Sequence, residues 1–376
     1  MKLSDINTLR PSHAPDRLVR PLTQLLQLLT LVACSCPSNI AFASPTANAN
    51  LIDLGRTLFQ DTSLSRDGHT SCQSCHDPAH AYADPHPRSI GIEGRAGTRN
   101  APSLIGIGDD TSFMWDGRRS RLEDAVLDPF TNPVELGLAS TDEIVERMKR
   151  APAVFKKFGT AFPNATEAPS LDQVRSALVA FIQSLRVGSA PYDKVAASPL
   201  TYEAEHGRQL FEGISGCNAC HSAVGTTLRF SDGQYHHSGV GKTTQSPNLP
   251  ELVRTVLSEH PDDAHLGHKV LANPDWSSLG RFVVSRRPID IGAFRTPSLR
   301  NVAVTAPYMH DGSIATLKEA VDHEIYYRAF SSGRTTTLSL DERQAIVAFL
   351  ETLTDTEYTS DKTTMVQPSA ANSAAH

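Results

Sequence analysis

Aromatic residues make up only 6% of this 376-residue chain, and there are two tryptophans, Trp115 and Trp276. A core of ordinary size must then be filled by aliphatic side chains, or by something that is not a side chain. A positive excess is also missing. The 35 Lys and Arg stand against 41 Asp and Glu, a formal net charge of -6, so a nucleic-acid partner has no electrostatic support. No long apolar run is present either. The stretch Leu22 to Ala33 falls short of the roughly 20 residues a bilayer demands. With a mean hydropathy of -0.27, a multi-pass membrane protein and a wholly disordered chain are both excluded.

Cysteine is scarce, and its placement decides the class. Four of the six cysteines form two C-x-x-C-H runs, Cys72-Gln73-Ser74-Cys75-His76 and Cys217-Asn218-Ala219-Cys220-His221. This spacing is that of c-type haem attachment. Two thiols add to the two vinyl groups on one porphyrin edge, and the next residue, His, reaches the iron. A redox C-x-x-C or half of a zinc site are the rival readings. Two runs, each with His immediately following, speak against both rivals. The sequence therefore predicts two covalently bound c-type haems, with His76 and His221 as iron ligands.

The N-terminus supports export. Basic residues Arg10, Arg17 and Arg20 precede the Leu22–Ala33 stretch, and Ala41-Phe42-Ala43 is an A-x-A cleavage site. Residues 1–43 read as a signal peptide. Leu31-Val32-Ala33-Cys34 also matches a lipoprotein signal that would anchor the chain through Cys34. Plain cleavage near Ala43 is preferred, and the mature chain is expected in the periplasm. After that cut every cysteine belongs to a haem motif, so no disulfide remains.

Internal repetition organises the rest. Gly55-Arg56-Thr57-Leu58-Phe59 precedes the first haem motif, and Gly207-Arg208-Gln209-Leu210-Phe211 precedes the second. Arg99-Asn100-Ala101-Pro102-Ser103-Leu104 follows one, and Arg295-Thr296-Pro297-Ser298-Leu299 the other. Met114-Trp115-Asp116-Gly117 is echoed by Met309-His310-Asp311-Gly312. Each of these turns leads into a capping box, Ser120-x-x-Glu123 and Thr316-x-x-Glu319. Each half closes with another capped helix, opening at Ser170 and at Ser339. Val174, Leu178, Phe181, Ile182 and Leu185 share one face, as do Ile346, Phe349, Leu350 and Leu353. The fold class is therefore all-α: two haem domains from an internal duplication, with long loops. Residues 51–188 and 191–356 form the domains, and 358–376 a disordered tail. The stretch Ser222 to Asp290, rich in Gly, Pro, Ser and His, reads as mostly loop.

Three segments carry a family likeness: Phe113-Met114-Trp115-Asp116-Gly117-Arg118, Arg295 to Asn301, and Thr305 to Gly312. Over Leu51 to Leu353 the chain resembles the bacterial diheme cytochrome c peroxidase and MauG superfamily. The resemblance implies two cytochrome c-like domains, a peroxidatic haem in the first and an electron-transfer haem in the second. It also implies hydrogen peroxide as substrate and a small cytochrome c or copper protein as electron donor. Two alternatives are a MauG-like enzyme that oxidatively modifies a partner protein and a non-enzymatic diheme carrier. A homodimer is left open.

The resemblance assigns site residues as well. Glu135, in Pro129-x-x-Asn132-Pro133-x-Glu135, matches the distal acid–base carboxylate. Trp115 matches the tryptophan between the haems, and Ala125 stands where the family has a glutamine. The removable histidine of many members falls at Ile92, which cannot ligate iron, so an open first haem is expected. His80 and His86 are rival ligands in that loop. The sixth ligand of the second haem, Met or Tyr in the family, falls at Glu324 (His323 on a one-residue shift). Tyr326 and Tyr327 lie nearby, and Met309 reads as packing. Asn100, Thr305 and Pro307 match a calcium site of oxygen ligands.

Overall fold

Helices α1 (Pro45–Gln60) and α6 (Leu171–Ser184) pack across the first haem motif, and α7 (Tyr202–Glu212) and α13 (Leu340–Glu351) across the second. The computed structural model describes residues 45–165, 169–223, 228–241, 248–332 and 337–359. The leader, with Cys34, and nearly all of the C-terminal tail lie outside them. In chain order the other helices are α2 (Leu122–Ala125), α3 (Asp128–Thr131), α4 (Asp142–Lys149), α5 (Pro152–Ala161), α8 (Leu249–Ser258), α9 (Asp263–Ala272), α10 (Pro274–Ser278), α11 (Phe282–Ser285) and α12 (Leu317–Ser332). Among the described residues no helix is long and apolar enough to cross a membrane.

Local chemistry starts the main helices where expected. Ser170 Oγ accepts from Gln173 N, and Gln173 Oε1 accepts from Ser170 N. Ser339 and Glu342 repeat this exchange at α13, and Thr316 and Glu319 at α12. The box anticipated at Ser120 does not form. The N-cap of α2 is Arg121, with no side-chain cap, and Glu123 meets Arg121 instead. A helix of four residues, running into Asp128-Pro129, begins too late for Ser120 to reach its amides.

The two helix pairs are locked by the same device. A Cβ on Gly55 would lie 1.9 Å from Ala177 O, and a Cβ on Gly207 would lie 1.8 Å from Ala345 O. Glycine is required there because backbone meets backbone. Gly207→Ala is expected to lower the midpoint of thermal unfolding and to cost about 1–3 kcal/mol or more by overpacking. A melt indistinguishable from wild type would contradict this close approach.

The segment read as loop is the main correction to the fold. Helices α8 to α11 enclose a small core of their own around Val256, Leu266, Val270, Trp276, Leu279 and Phe282. This group is tied to the first half, where Thr98 Oγ1 donates to Val270 O at 2.8 Å and Arg99 donates to Ser277. Glycine and proline punctuate short helices here, and composition averaged over the stretch hides the apolar positions between them. Strands β1 (Tyr235–His237) and β2 (Ala293–Arg295) pair antiparallel, with Tyr235 opposite Arg295. The linker near Gly188 is pinned: Asp355 Oδ1 accepts from Gly188 N, Ser189 N and Ser189 Oγ.

Candidate active site

Each C-x-x-C-H run folds into a single 3-10 turn, Cys72–Ser74 and Cys217–Ala219. His76 N donates to Cys72 O at 3.0 Å, and His221 N to Cys217 O at 2.9 Å. This winding brings both thiols and the imidazole to one wall of a cavity. The imidazoles are oriented alike. His76 Nδ1 lies 3.0 Å from Tyr82 O, and His221 Nδ1 lies 3.0 Å from Phe230 O. A carbonyl only accepts, so each Nδ1 carries the proton and each Nε2 keeps its lone pair for a metal. Tyr82 and Phe230, which present the carbonyls, both sit at positive φ, 57° and 55°. Burial also draws the His76 pKa down, which keeps the ring neutral.

Two cavities result. That of His221 measures about 520 Å³, and that of His76 about 190 Å³. Burial pushes Cys72 and Cys75 up to about 12, with Glu135 and Asp84 adding to it. A redox thiol needs the opposite, an electropositive setting that lowers its pKa. A zinc site is no better supported. Among the described residues the one cluster of metal-type side chains is Cys220, Asp232 and His236, and it uses a thiol of the haem motif itself. Paired thiols beside an oriented imidazole, on the wall of an apolar cavity, fit a c-type haem.

Glu135 lines the His76 cavity. Burial pushes its carboxyl up to about 7; Arg118 opposes this, and Asp128 adds to it. The carboxyl can therefore exchange a proton near neutral pH. Its backbone anchors the loop opposite: Ile92 N donates to Glu135 O at 2.9 Å, and Gly91 abuts Val134 O. Ile92 is the residue expected not to ligate iron. It is fully buried against Gly137 and does not line the cavity, where Ser89 and Gly91 appear instead. His80 pairs with Asp77, and His86 with Asp84; neither reaches the cavity. Among its lining residues His76 is the single histidine.

Trp115 lines both cavities. Its Nε1 donates to Asn100 O at 2.8 Å, and its carbonyl accepts from Arg295 N at 2.9 Å. Its ring meets His310 edge-on at 6.5 Å, and His310 stacks on Phe294 at 3.6 Å. An indole held at both ends between two cavities is placed to pass charge. Asn100, Thr305 and Pro307 all line the His221 cavity. The Asn100 amide nitrogen donates to the Asp84 and His86 carbonyls.

The comparisons with known proteins agree with this geometry. Residues 49–199 match the family profile described as Di-haem cytochrome c peroxidase. The chain is 35% identical to the cytochrome-c peroxidase IdrP2 of Denitromonas iodatirespirans, over 81% of this chain and 82% of that one. It is 33% identical to the methylamine utilization protein MauG of Methylorubrum extorquens, over 80% and 77%. The chain belongs to the di-haem cytochrome c peroxidase and MauG family. Among solved structures, a MauG-like protein associated with microbial copper homeostasis superposes with a TM-score of 0.68 at 30% identity, covering 83% of this chain and 91% of that one.

As a family member the protein is an oxidoreductase acting on peroxide, and the non-enzymatic carrier falls away. At the second haem site, α12 brings Glu324 and Tyr327 to the His221 cavity. His323 turns away, its Nε2 2.7 Å from Ser238 O, and Tyr326 is 74% exposed. Of His323 and Glu324, Glu324 lines the cavity and His323 does not; Met309, from the turn before α12, lines it as well. Sequence reasoning passed over Arg118, Arg295 and His310. All three stood inside the quoted motifs, but nothing in the spacing reveals which side chains turn inward.

Proposed function

We propose that this chain is a periplasmic di-haem peroxidase built from two duplicated cytochrome c-like halves. It reduces hydrogen peroxide with electrons from a small cytochrome c or copper protein. Cys72 and Cys75 hold one haem covalently, and Cys217 and Cys220 the other. Residues 1–43 direct export. A haem held by Cys72, Cys75 and His76 would supply the electrons that open the O–O bond. Glu135 takes the proton from the peroxide oxygen nearer His76 and returns it to the farther one, which leaves as water. Trp115 links this cavity to that of His221, and a calcium ion at Asn100, Thr305 and Pro307 stiffens the junction. The observation that carries the proposal is a carboxyl poised near neutrality in a cavity that, among the described residues, is lined by one histidine, His76. Steady-state peroxide turnover with reduced cytochrome c, compared with Glu135→Gln, tests it.

A second reading, oxidative modification of a partner protein, draws support from the His221 cavity. Its α12 wall presents Glu324 and Tyr327, whereas its one lining methionine, Met309, comes from the turn before α12. A methionine ligand raises a haem's potential, and oxygen ligands lower it. Glu324→Met is therefore expected to raise the midpoint of the second haem, by on the order of 0.1 V within the ~0.8 V that axial ligands span. Spectroelectrochemical titration reads this directly. An unchanged midpoint means that Glu324 does not face the iron.

A further inference from the structure

Arg118 is a charged side chain of the His76 cavity that the proposed reaction leaves without a task. Its side chain is only 4% exposed. Nη1 donates to both carboxylate oxygens of Asp116, at 3.2 and 3.1 Å, and Asp116 is itself fully buried and also held by Arg99. Among the described residues Nε has no hydrogen-bond partner, and its nearest carboxylate oxygen, on Asp128, stands at 3.8 Å. Helix α9 closes over the group: a Cβ on Gly267 would lie 3.1 Å from Nε. A buried guanidinium N–H left without an acceptor is costly, and Nε is in that position. It is fixed in place and cannot turn to water.

No hydrogen bond joins Arg118 to Glu135, although both line the same cavity. Their neighbours Ala125, Pro129 and Val134 are apolar. The cavity thus has a cation and an acid in its wall, close enough for Arg118 to act on the Glu135 carboxyl, in a setting that strengthens any charge placed there. Hydrogen peroxide accepts two electrons, delivered in turn by a reduced small redox protein, and two protons, and gives two waters. Before its proton arrives, the departing oxygen carries negative charge. Preorganised donors aimed at such charge are a main source of rate enhancement.

We propose that Arg118 is a further catalytic residue, a fixed cation that stabilises the departing oxygen and binds small anions in the resting His76 cavity. This rests on the peroxidase reading, but its test does not rest on turnover alone. In the fully loaded ferric protein, fluoride affinity is measured by visible spectroscopy, and the rate of reaction with peroxide by stopped flow. Arg118→Met is expected to weaken fluoride binding at least tenfold and to slow the peroxide reaction at least a hundredfold, with the second haem's spectrum unchanged. Arg118→Lys is expected to fall between. Equal fluoride affinity and peroxide rate in wild type and Arg118→Met would overturn the proposal. Should Arg118→Met not load both haems, Arg118→Gln and Arg118→Lys are compared instead. Wild-type fluoride affinity in Arg118→Gln, or failure of all three variants to load the His76 site, also overturns it. A wild type that ignores peroxide yet loses fluoride in Arg118→Met would sink the peroxidase reading and leave the anion site standing.

Discussion

Replacing Glu135 with Gln lowers kcat/KM for peroxide by roughly 10²–10⁴-fold, the usual contribution of a positioned general acid–base. Glutamine keeps the volume and polarity of the side chain but can neither take nor return a proton. The pH profile separates this role from a structural one. Burial holds the Glu135 carboxyl at about 7, so below that pH it is protonated and cannot accept the peroxide proton. In wild type kcat/KM should climb with pH through about 7 and then level off, and in Glu135→Gln this limb should be absent. A variant with wild-type rate, or with the same limb, would show that another group moves the proton.

The same carboxyl sets a stability signature. Its folded pKa lies above the ordinary value of 4.5, so between about 4.5 and 7 the folded chain binds more protons than the unfolded chain. Stability is then lost as pH rises through that window. Glu135→Gln removes the loss. The variant should match wild type in thermal melts near pH 4 and exceed it at pH 8. A residue retained for packing would behave in the opposite way. Loss of turnover together with a gain in stability is the mark of a group kept for chemistry.

Much of this site was legible because covalent chemistry leaves a rigid spacing. C-x-x-C-H demands two thiols and an imidazole on one turn, and both runs fold into that turn. Capping boxes at Ser170, Thr316 and Ser339 were legible for a similar reason, since they are local exchanges of hydrogen bonds. What failed depended on direction or on distance along the chain. Ile92 was placed in the right loop, but its side chain points into the core beside Gly137. The helices of the insertion were hidden by their glycines and prolines. Arg118 was read as part of a motif, while its place on the His76 cavity wall depends on Asp116 and on α9, which lies nearly 150 residues further along.

The two halves should also respond unequally to loss of their haems. Unfilled cavity volume costs about 24 cal/mol per Å³. The His221 cavity, about 520 Å³, leaves more unfilled space than the His76 cavity, about 190 Å³, so the second half is the more exposed to this cost. Whole-domain stabilities run to about 5–15 kcal/mol. The first half also leans on α9 and α10 through Thr98 and Arg99. Cys217→Ser/Cys220→Ser/His221→Ala, made in a host that attaches c-type haem, is expected to give little folded protein. Cys72→Ser/Cys75→Ser/His76→Ala should accumulate as a one-haem chain with a lowered melting temperature and no peroxide turnover. Intact-mass spectrometry counts the haems, and circular dichroism melts rank the two variants. Should the first-motif variant be the one that fails to fold, the larger cavity is not where the haem contributes most to stability.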